Sequence, residues 1–172
     1  MICFQIFNMS GSSNSAYGHW FHRTMKVMPW SSGPRGWNDA FSKSLIDCPY
    51  PKRGLRDWEK LNGSSLFTFL KSETLEFSTE VDFAFGSERK NLRRKRRIVD
   101  LCVFQWRTNT LWLVDWKTSE NLCATNVMPL GIYRKMKSYA LWAKKFYNGV
   151  IKSTVYSTSD GVWLNAYSLD ER

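Results

Sequence analysis

The chain has 172 residues, a length typical of a single domain that can bury a hydrophobic core. Apolar residues make up 43% of it and nine residues are tryptophan, a composition that excludes a disordered chain. The formal net charge of +10 favours a polyanionic partner, nucleic acid ahead of an acidic membrane surface. No apolar run approaches the roughly 20 residues that cross a bilayer, and the four cysteines form no CxxC pair that could build a zinc ribbon.

The N-terminal part is predicted to be a flexible segment followed by helices. Residues 1–15 end in a serine-rich stretch, and a single domain is predicted over 16–172. The basic, serine-rich start also resembles an organelle transit peptide. Apolar residues at helical spacing predict a first helix over 16–27. Further helices are predicted from Asn38 or Asp39 to Ile46 and over Leu55–Leu70, the latter burying Leu55, Trp58, Leu61 and Leu66, with loops at 28–36 and 48–54.

The second half of the chain is predicted to supply the strands. Alternating apolar residues over Thr74–Phe85 predict a strand that keeps Phe77 and Val81 on one face. A basic loop is predicted next, since seven of the nine residues 89–97 are Lys or Arg. Two strands are predicted next, within Ile98–Glu120, followed by a helix over Ile132–Tyr147. The last element is a hairpin of the strands Val150–Tyr156 and Val162–Leu169. This order predicts an α/β (α+β) fold with a central mixed β-sheet flanked by helices.

Charged residues stand in the two strands that follow the basic loop, where a charge is costly unless it is paired or bound to a metal. Asp115 and Lys117 are two residues apart and share a face. A turn at 108–109 or 107–110 sets Asp100 opposite Lys117 on that face, whereas a three-residue loop turns it away. Two carboxylates suit Mg²⁺, and a lysine beside them can steady developing negative charge. The set predicts a phosphodiester-cutting centre, with an inactive ion-pair cluster as the alternative.

The segment VDWKTSE at 114–120, preceded by IVD at 98–100, resembles the PD-(D/E)xK nuclease superfamily and, within it, the RecB-like exonucleases. It is most similar to the mitochondrial genome maintenance exonuclease family. That family has a G-x-x-x-H helix ahead of the segment, as in GHWFH at 18–22, and a Q-x-x-x-Y helix and a hairpin behind it. The resemblance implies a restriction-endonuclease-like core and a Mg²⁺- or Mn²⁺-dependent deoxyribonuclease. It further implies an exonuclease of single-stranded DNA in DNA maintenance or repair, located in the mitochondrion, with the nucleus or cytoplasm as alternatives.

The resemblance also implies a role for each residue of the predicted centre. Asp100 and Asp115 become metal ligands, and Lys117 becomes the catalytic lysine. His22 becomes a further metal ligand or a group near the metal, with His19 as its rival one turn earlier. An acid from the preceding strand completes the set: Glu80, with Glu76 and Asp82 as alternatives on the same face.

Two positions depart from the family pattern. Ile98 stands where the family has a glycine, and Lys135 stands where it has the glutamine of Q-x-x-x-Y, with Tyr139 in place. Core packing is the expected role of any single tryptophan, and stacking on unpaired bases is the alternative for Trp20, Trp30, Trp37 and Trp58. Trp30 and Trp37, in the loop 28–36 and just after it, are the stronger candidates for stacking. The residues predicted to bind nucleic acid are Arg93, Arg94, Lys95, Arg96, Lys135 and Tyr139.

Two other functions fit the same residues. The first is a degenerate nuclease fold that holds nucleic acid without cutting it, which the departures at Ile98 and Lys135 favour. The second is an RNA endonuclease of the same superfamily, which uses a similar set of His, Asp, Glu and Lys. Metal binding distinguishes the first from an active nuclease, and a comparison of RNA with DNA cleavage distinguishes the second.

Overall fold

Five strands form one mixed sheet with helices on both faces. The computed structural model describes residues 10–72, 75–84, 96–118 and 128–169, with side chains for 15–72, 75–81, 98–118 and 128–169. The helices are α1 (Ser10–Lys26), α2 (Gly33–Ser44), α3 (Pro51–Asn62), α4 (Ser65–Leu70) and α5 (Leu130–Ala143). The strands are β1 (Leu75–Ala84), β2 (Arg96–Gln105), β3 (Thr110–Lys117), β4 (Val150–Ser157) and β5 (Val162–Leu169).

The strands follow their chain order across the sheet, β1-β2-β3-β4-β5. The first three form an antiparallel meander. β3 and β4 run parallel, so the chain must cross over between them, and α5 lies in that connection. β5 returns antiparallel to β4. The predicted α+β fold with a mixed sheet is confirmed, because a meander, a crossover helix and a hairpin are each specified by local pattern.

Each face of the sheet has its own apolar core. α1 to α4 pack on one face over Leu101, Val103 and Val114, and α5 packs on the other over Cys102 and Leu113. These side chains alternate along β2 and β3, as a sheet covered on both sides requires. The sheet therefore lies between the helix that carries His22 and the helix that carries Lys135.

The two tryptophans that are the stronger candidates for stacking on bases are core residues. Trp30 and Trp37 are buried, and Trp30 stacks on Trp116 at 6.1 Å between ring centroids. The indole N–H of Trp37 donates to the carbonyl of Trp30 at 2.9 Å. Both rings are held in the core, so core packing is confirmed for them and stacking on bases is wrong.

The helices begin and end at residues other than those predicted. α1 begins at Ser10, within the segment predicted to be flexible, and α2 begins at Gly33 because Pro34 fits its first turn. The single helix predicted over Leu55–Leu70 is two helices. α3 ends at Asn62, and Ser64 caps α4 by accepting a hydrogen bond from the N–H of Phe67 at 3.2 Å.

β1 does not keep its apolar residues on one face. Phe77 packs with the core under α1 to α4, whereas Val81 packs with the core under α5. Between them Glu80 has a φ of 46°, the left-handed region that breaks regular alternation. On β2, Leu101 and Val99 divide between the two cores in the same way. The prediction of one shared face for Phe77 and Val81 is therefore wrong, and both strands exchange faces at the level of Glu80.

Candidate active site at the ends of strands β2 and β3

The turn between β2 and β3 sets the register of the predicted acids. Gln105 pairs with Thr110, which leaves a turn of the four residues 106–109. The turn ends on Asn109 in the left-handed conformation, with φ 48°, which an asparagine tolerates better than most residues. It therefore lies one residue earlier than the predicted turn at 107–110.

This register places the two acids on adjoining stretches of β2 and β3. Its last pair toward the site is Leu101 with Val114, and Asp100 and Asp115 are the next residues of the two strands. The predicted pairing of Asp100 with Lys117 is wrong by two residues. A shift of two keeps each side chain of a regular strand on its face. Because β2 exchanges faces between Val99 and Leu101, the shared face of Asp100, Asp115 and Lys117 stays a prediction.

Asp115 is held by two ammonium groups. Its side chain is only 1% exposed. Lys117 forms an ion pair with Oδ2, and the Nζ of Lys135 lies 2.7 Å from Oδ1. Burial by itself would lower the pKa of Lys135, but the charge of Asp115 and the hydrogen bond to it raise that pKa above its ordinary value. Lys135 therefore stays protonated, and each oxygen of Asp115 has a positive partner.

Asp100 has a different set of partners. Its Oδ1 lies 3.4 Å from Nδ1 of His22, and its Oδ2 accepts a hydrogen bond from the backbone N–H of Trp116 at 2.8 Å. Burial raises the pKa of Asp100. The hydrogen bond and charge of His22 and the N–H of Trp116 outweigh that effect and bring the pKa below its usual value. Asp100 therefore remains a carboxylate beside Asp115.

The G-x-x-x-H segment explains how α1 reaches the site. A Cβ added to Gly18 would lie 3.0 Å from Oγ1 of Thr118, so the glycine lets the helix approach the end of β3. His22 follows one turn later on the same side of the helix and meets Asp100. The rival His19 is exposed and lines a surface pocket with Arg23. Of the two histidines, His22 is the one that contacts the acids.

α5 contributes Lys135 and Tyr139 from one side of the helix. The Nζ of Lys135 lies 5.3 Å from the centroid of the Tyr139 ring, within cation–π range. The hydroxyl of Tyr139 donates to the carbonyl of Ile98 at 2.8 Å, and burial raises its pKa above the ordinary value. Tyr139 thus anchors α5 to β2 at the residue that replaces the family glycine.

The acid predicted from the preceding strand points to a different partner. Glu80 lies level with Asp100, between the pairs Thr79–Leu101 and Val81–Val99, and it forms an ion pair with Lys26 at 2.5 Å. Its role as a metal ligand stays a prediction. The alternatives are Glu76, which is exposed, and Asp82, whose side chain lies outside the described residues.

Most of the predicted basic loop lies outside the described residues. This applies to Arg93, Arg94 and Lys95 and to the side chain of Arg96, so their predicted contact with nucleic acid stays a prediction. Other basic residues are exposed on the helices that carry His22 and Lys135: Arg23 and Lys26 on α1, and Arg134 on α5.

A second buried acid next to the site was not predicted. Asp57 on α3 is fully buried and accepts a hydrogen bond from the Tyr17 hydroxyl at 2.8 Å. Its carboxylate also lies 3.6 Å from Nε of Arg53 and 3.5 Å from Nε of Arg56. Arg53 in turn donates to the carbonyl of Thr118 at 2.5 Å, directly after Lys117. This network ties α1 and α3 to the end of β3.

One sequence signal could have revealed Asp57. The predicted apolar stripe of this helix included Leu55, but Leu55 is 47% exposed, and that prediction is wrong. α3 buries Gly54, Asp57, Trp58 and Leu61, which recur at helical spacing. An acid on that stripe, with an arginine four residues before it, indicates a buried ion pair.

The donor chemistry at Asp100 and Asp115 suits a hard divalent cation. Mg²⁺ is commonly held by one or two carboxylates together with water and substrate phosphate, and Asp100 contacts the residue directly after Asp115 here. Across the part of the chain that the structure describes, no three His, Cys, Asp or Glu side chains group closely enough to hold a metal. The residues therefore fit an ion that shares its coordination with substrate, at a position where Lys135 contacts Asp115.

Comparison with known proteins adds no functional assignment. No protein-family model and no curated protein match the chain. A solved structure of the protein SSO0001 matches 87% of this chain at 12% identity and a TM-score of 0.39. The match covers 65% of that chain, and a likeness at this level carries no inference about function. None of the described helices is long and apolar enough to cross a bilayer.

Proposed function

We propose that the protein is a Mg²⁺- or Mn²⁺-dependent nuclease that hydrolyses phosphodiester bonds. One observation carries this proposal: Asp100 on β2 accepts a hydrogen bond from the N–H of Trp116, the residue directly after Asp115 on β3, and the ammonium of Lys117 pairs with Asp115. Buried acids opposite each other repel unless positive charge lies between or beside them. Two carboxylates, an adjacent lysine and a nearby imidazole are the groups that metal-assisted phosphoryl chemistry needs.

Each residue of the site has a defined task in this proposal. Asp100 and Asp115 would hold the ion, which when bound activates a water molecule and neutralises charge on the scissile phosphate. Lys117 would orient the attacking water or stabilise negative charge that develops on the phosphate oxygens. His22 fixes Asp100 from the α1 side, and Tyr139 keeps α5 against β2.

Single-stranded DNA is the proposed substrate class, and exonuclease action the proposed mode. The net charge of +10 and the exposed Arg23, Lys26 and Arg134 on helices α1 and α5 support a polyanionic substrate. The preference for single-stranded DNA, the role in DNA maintenance or repair and the mitochondrial location are supported by the resemblance of residues 98–120 to the PD-(D/E)xK nucleases. The same resemblance leaves RNA as the rival substrate.

The decisive test is digestion of end-labelled single-stranded DNA, double-stranded DNA and RNA with Mg²⁺, Mn²⁺ or a chelator. We expect metal-dependent shortening of single-stranded DNA, and a loss on the order of 100-fold or more for Lys117→Ala. Lys144→Ala is the matched control, since Lys144 lies at the far end of α5 and donates to the carbonyl of Asn148. Equal, negligible cutting by the wild type and Lys117→Ala would refute the enzymatic function.

A second function, nucleic-acid binding without cutting, has its own supporting observation. The Nζ of Lys135 lies 2.7 Å from Oδ1 of Asp115, so this carboxylate oxygen has a positive partner without any metal. In this alternative the basic surface binds phosphates and the acid cluster has only a structural role. Calorimetry separates the two functions: salt-sensitive DNA binding with no uptake of Mn²⁺ by the wild type favours binding alone.

A further inference from the structure

The two ammonium groups on Asp115 differ in how readily they can leave it. Lys117 belongs to the same strand as Asp115 and its side chain is 23% exposed. Lys135 reaches Asp115 from α5 and its side chain is 41% exposed, so its flexible stem borders solvent. The position on Oδ1 is therefore occupied by a positive group that can turn outward without opening the core.

We propose that Lys135 is a displaceable counter-ion, which excludes a divalent cation from Asp115 until a nucleic-acid phosphate draws its ammonium away. The inference rests on the proposed metal-dependent function and adds a regulation of that site. An ammonium and a divalent cation that both contact Oδ1 repel each other strongly in a half-buried site. Tight metal binding at Oδ1 therefore requires Lys135 to leave.

Substrate supplies the reason for Lys135 to leave. A phosphate bound beside α5 offers a second anion that forms charge-assisted hydrogen bonds with the ammonium. The ring of Tyr139 lies 5.3 Å from the Nζ of Lys135 and is held by the hydrogen bond from its hydroxyl to the carbonyl of Ile98. It keeps the stem of Lys135 near the site. Once Lys135 has moved, the charge around Asp115 falls by one unit, and a divalent cation binds more tightly. Metal and nucleic acid thus bind with positive coupling, and each raises the affinity for the other by the same factor.

The test is a calorimetric titration with Mn²⁺ in the absence of nucleic acid. We expect Lys135→Gln to bind Mn²⁺ on the order of tenfold or more tightly than the wild type, because the competing charge is removed. Lys135→Arg keeps the charge and should bind as weakly as the wild type. Lys137→Gln is the matched control, because Lys137 is on the same helix and lies over the ring of Tyr167, 5.4 Å from its centroid.

The second arm repeats the titration with a saturating single-stranded phosphorothioate oligonucleotide, corrected for Mn²⁺ bound by the oligonucleotide alone. The wild type should gain Mn²⁺ affinity and approach Lys135→Gln, whose affinity should change little. Thermal unfolding of each variant confirms that the titrated protein is folded.

The outcomes separate this inference from the proposed function. Equal Mn²⁺ affinities of the wild type and Lys135→Gln, or an equal gain in Lys137→Gln, would overturn the role of Lys135. If Lys117-dependent cleavage persists in that case, the nuclease function stands without the regulation by Lys135. An absence of Mn²⁺ binding in every variant, with and without oligonucleotide, would overturn both.

Discussion

Asp57 and Asp115 are both buried aspartates paired with basic side chains, yet their partners are of different kinds. Asp57 accepts a hydrogen bond from the hydroxyl of Tyr17 and pairs with two guanidinium groups, those of Arg53 and Arg56. Burial and the charge of Asp57 raise the pKa of Tyr17 well above its usual range, so the phenol keeps its proton. Asp115 instead pairs with two lysine ammonium groups at the rim of the sheet.

The difference indicates a structural role for Asp57 and an exchangeable role for Asp115. A guanidinium is planar and presents its donors in a fixed fork, whereas an ammonium is a point charge on a flexible stem. Arg53 also contacts Thr118 and the Tyr17 ring, so it is held from several sides. In the function we propose, the ammonium partners of Asp115 can be replaced by other cations, because they lie on flexible stems. The following predictions test that contrast.

The largest expected effect is on stability, in Asp57→Asn. The neutral amide leaves the guanidinium of Arg53, whose side chain is 14% exposed, without its carboxylate, and breaking a buried pair in this way costs about 3–5 kcal/mol. Urea unfolding followed by tryptophan fluorescence measures the loss. Asp39→Asn, at an exposed position of α2, is the control and should change the free energy of unfolding by less than about 0.5 kcal/mol. Similar unfolding midpoints for the two variants would remove the structural role assigned to Asp57.

Asp115→Asn should cost less stability and more activity. Lys117 and Lys135 can turn their ammonium groups toward water, so we expect a loss of about 1–2 kcal/mol in the same urea titration. Metal-dependent cleavage of single-stranded DNA should be lost, because the amide is a poor ligand for a hard cation. A stability loss as large as that of Asp57→Asn would show that Asp115 too is a structural residue.

A smaller effect is expected from Asp100 at acid pH. Its folded-state pKa is lowered, so its contribution to stability is present above the unfolded-state pKa and is lost as the pH falls through the folded-state value. The difference in unfolding free energy between the wild type and Asp100→Asn should therefore shrink as the pH falls below the range in which an ordinary aspartate titrates. Unfolding measured at several pH values between neutral and strongly acidic tests this. A difference that stays constant over that range would contradict the ionic pairing of Asp100.

The smallest effect is expected at Glu80. Its ion pair with Lys26 is exposed, unlike the ion pairs of the buried Asp57 and Asp115. Such a pair contributes about 0.2–1 kcal/mol. Because its φ of 46° favours glycine, Glu80→Gly should be more stable than Glu80→Ala by about 1 kcal/mol. Thermal unfolding of the two variants gives the order, and the reverse order would contradict the strained backbone. Both variants also test Glu80 as a metal ligand, since a ligand would lose cleavage in both.

Local patterns predicted much of the fold. The hairpin of β4 and β5 and the helix α5 follow from alternation, helical spacing and turn residues, and each was predicted within a few residues. The break at Gly63 and Ser64 was missed because the apolar spacing continues across it, while the cap that divides the helices is a single side-chain hydrogen bond. The exchange of faces at Glu80 was missed because one left-handed residue leaves no trace in an alternating pattern.

By itself the sequence determined that Asp115 and Lys117 share one face, because residues two apart in a regular strand point to the same side. The tertiary structure alone decided which groups meet there. Lys135 and His22 reach the acids from helices on opposite faces of the sheet, and their contacts depend on how those helices pack. The same holds for Asp57, whose partner Tyr17 lies 40 residues away in the chain. Contacts between distant segments depend on packing distances of a few ångströms, which residue spacing along the chain does not encode.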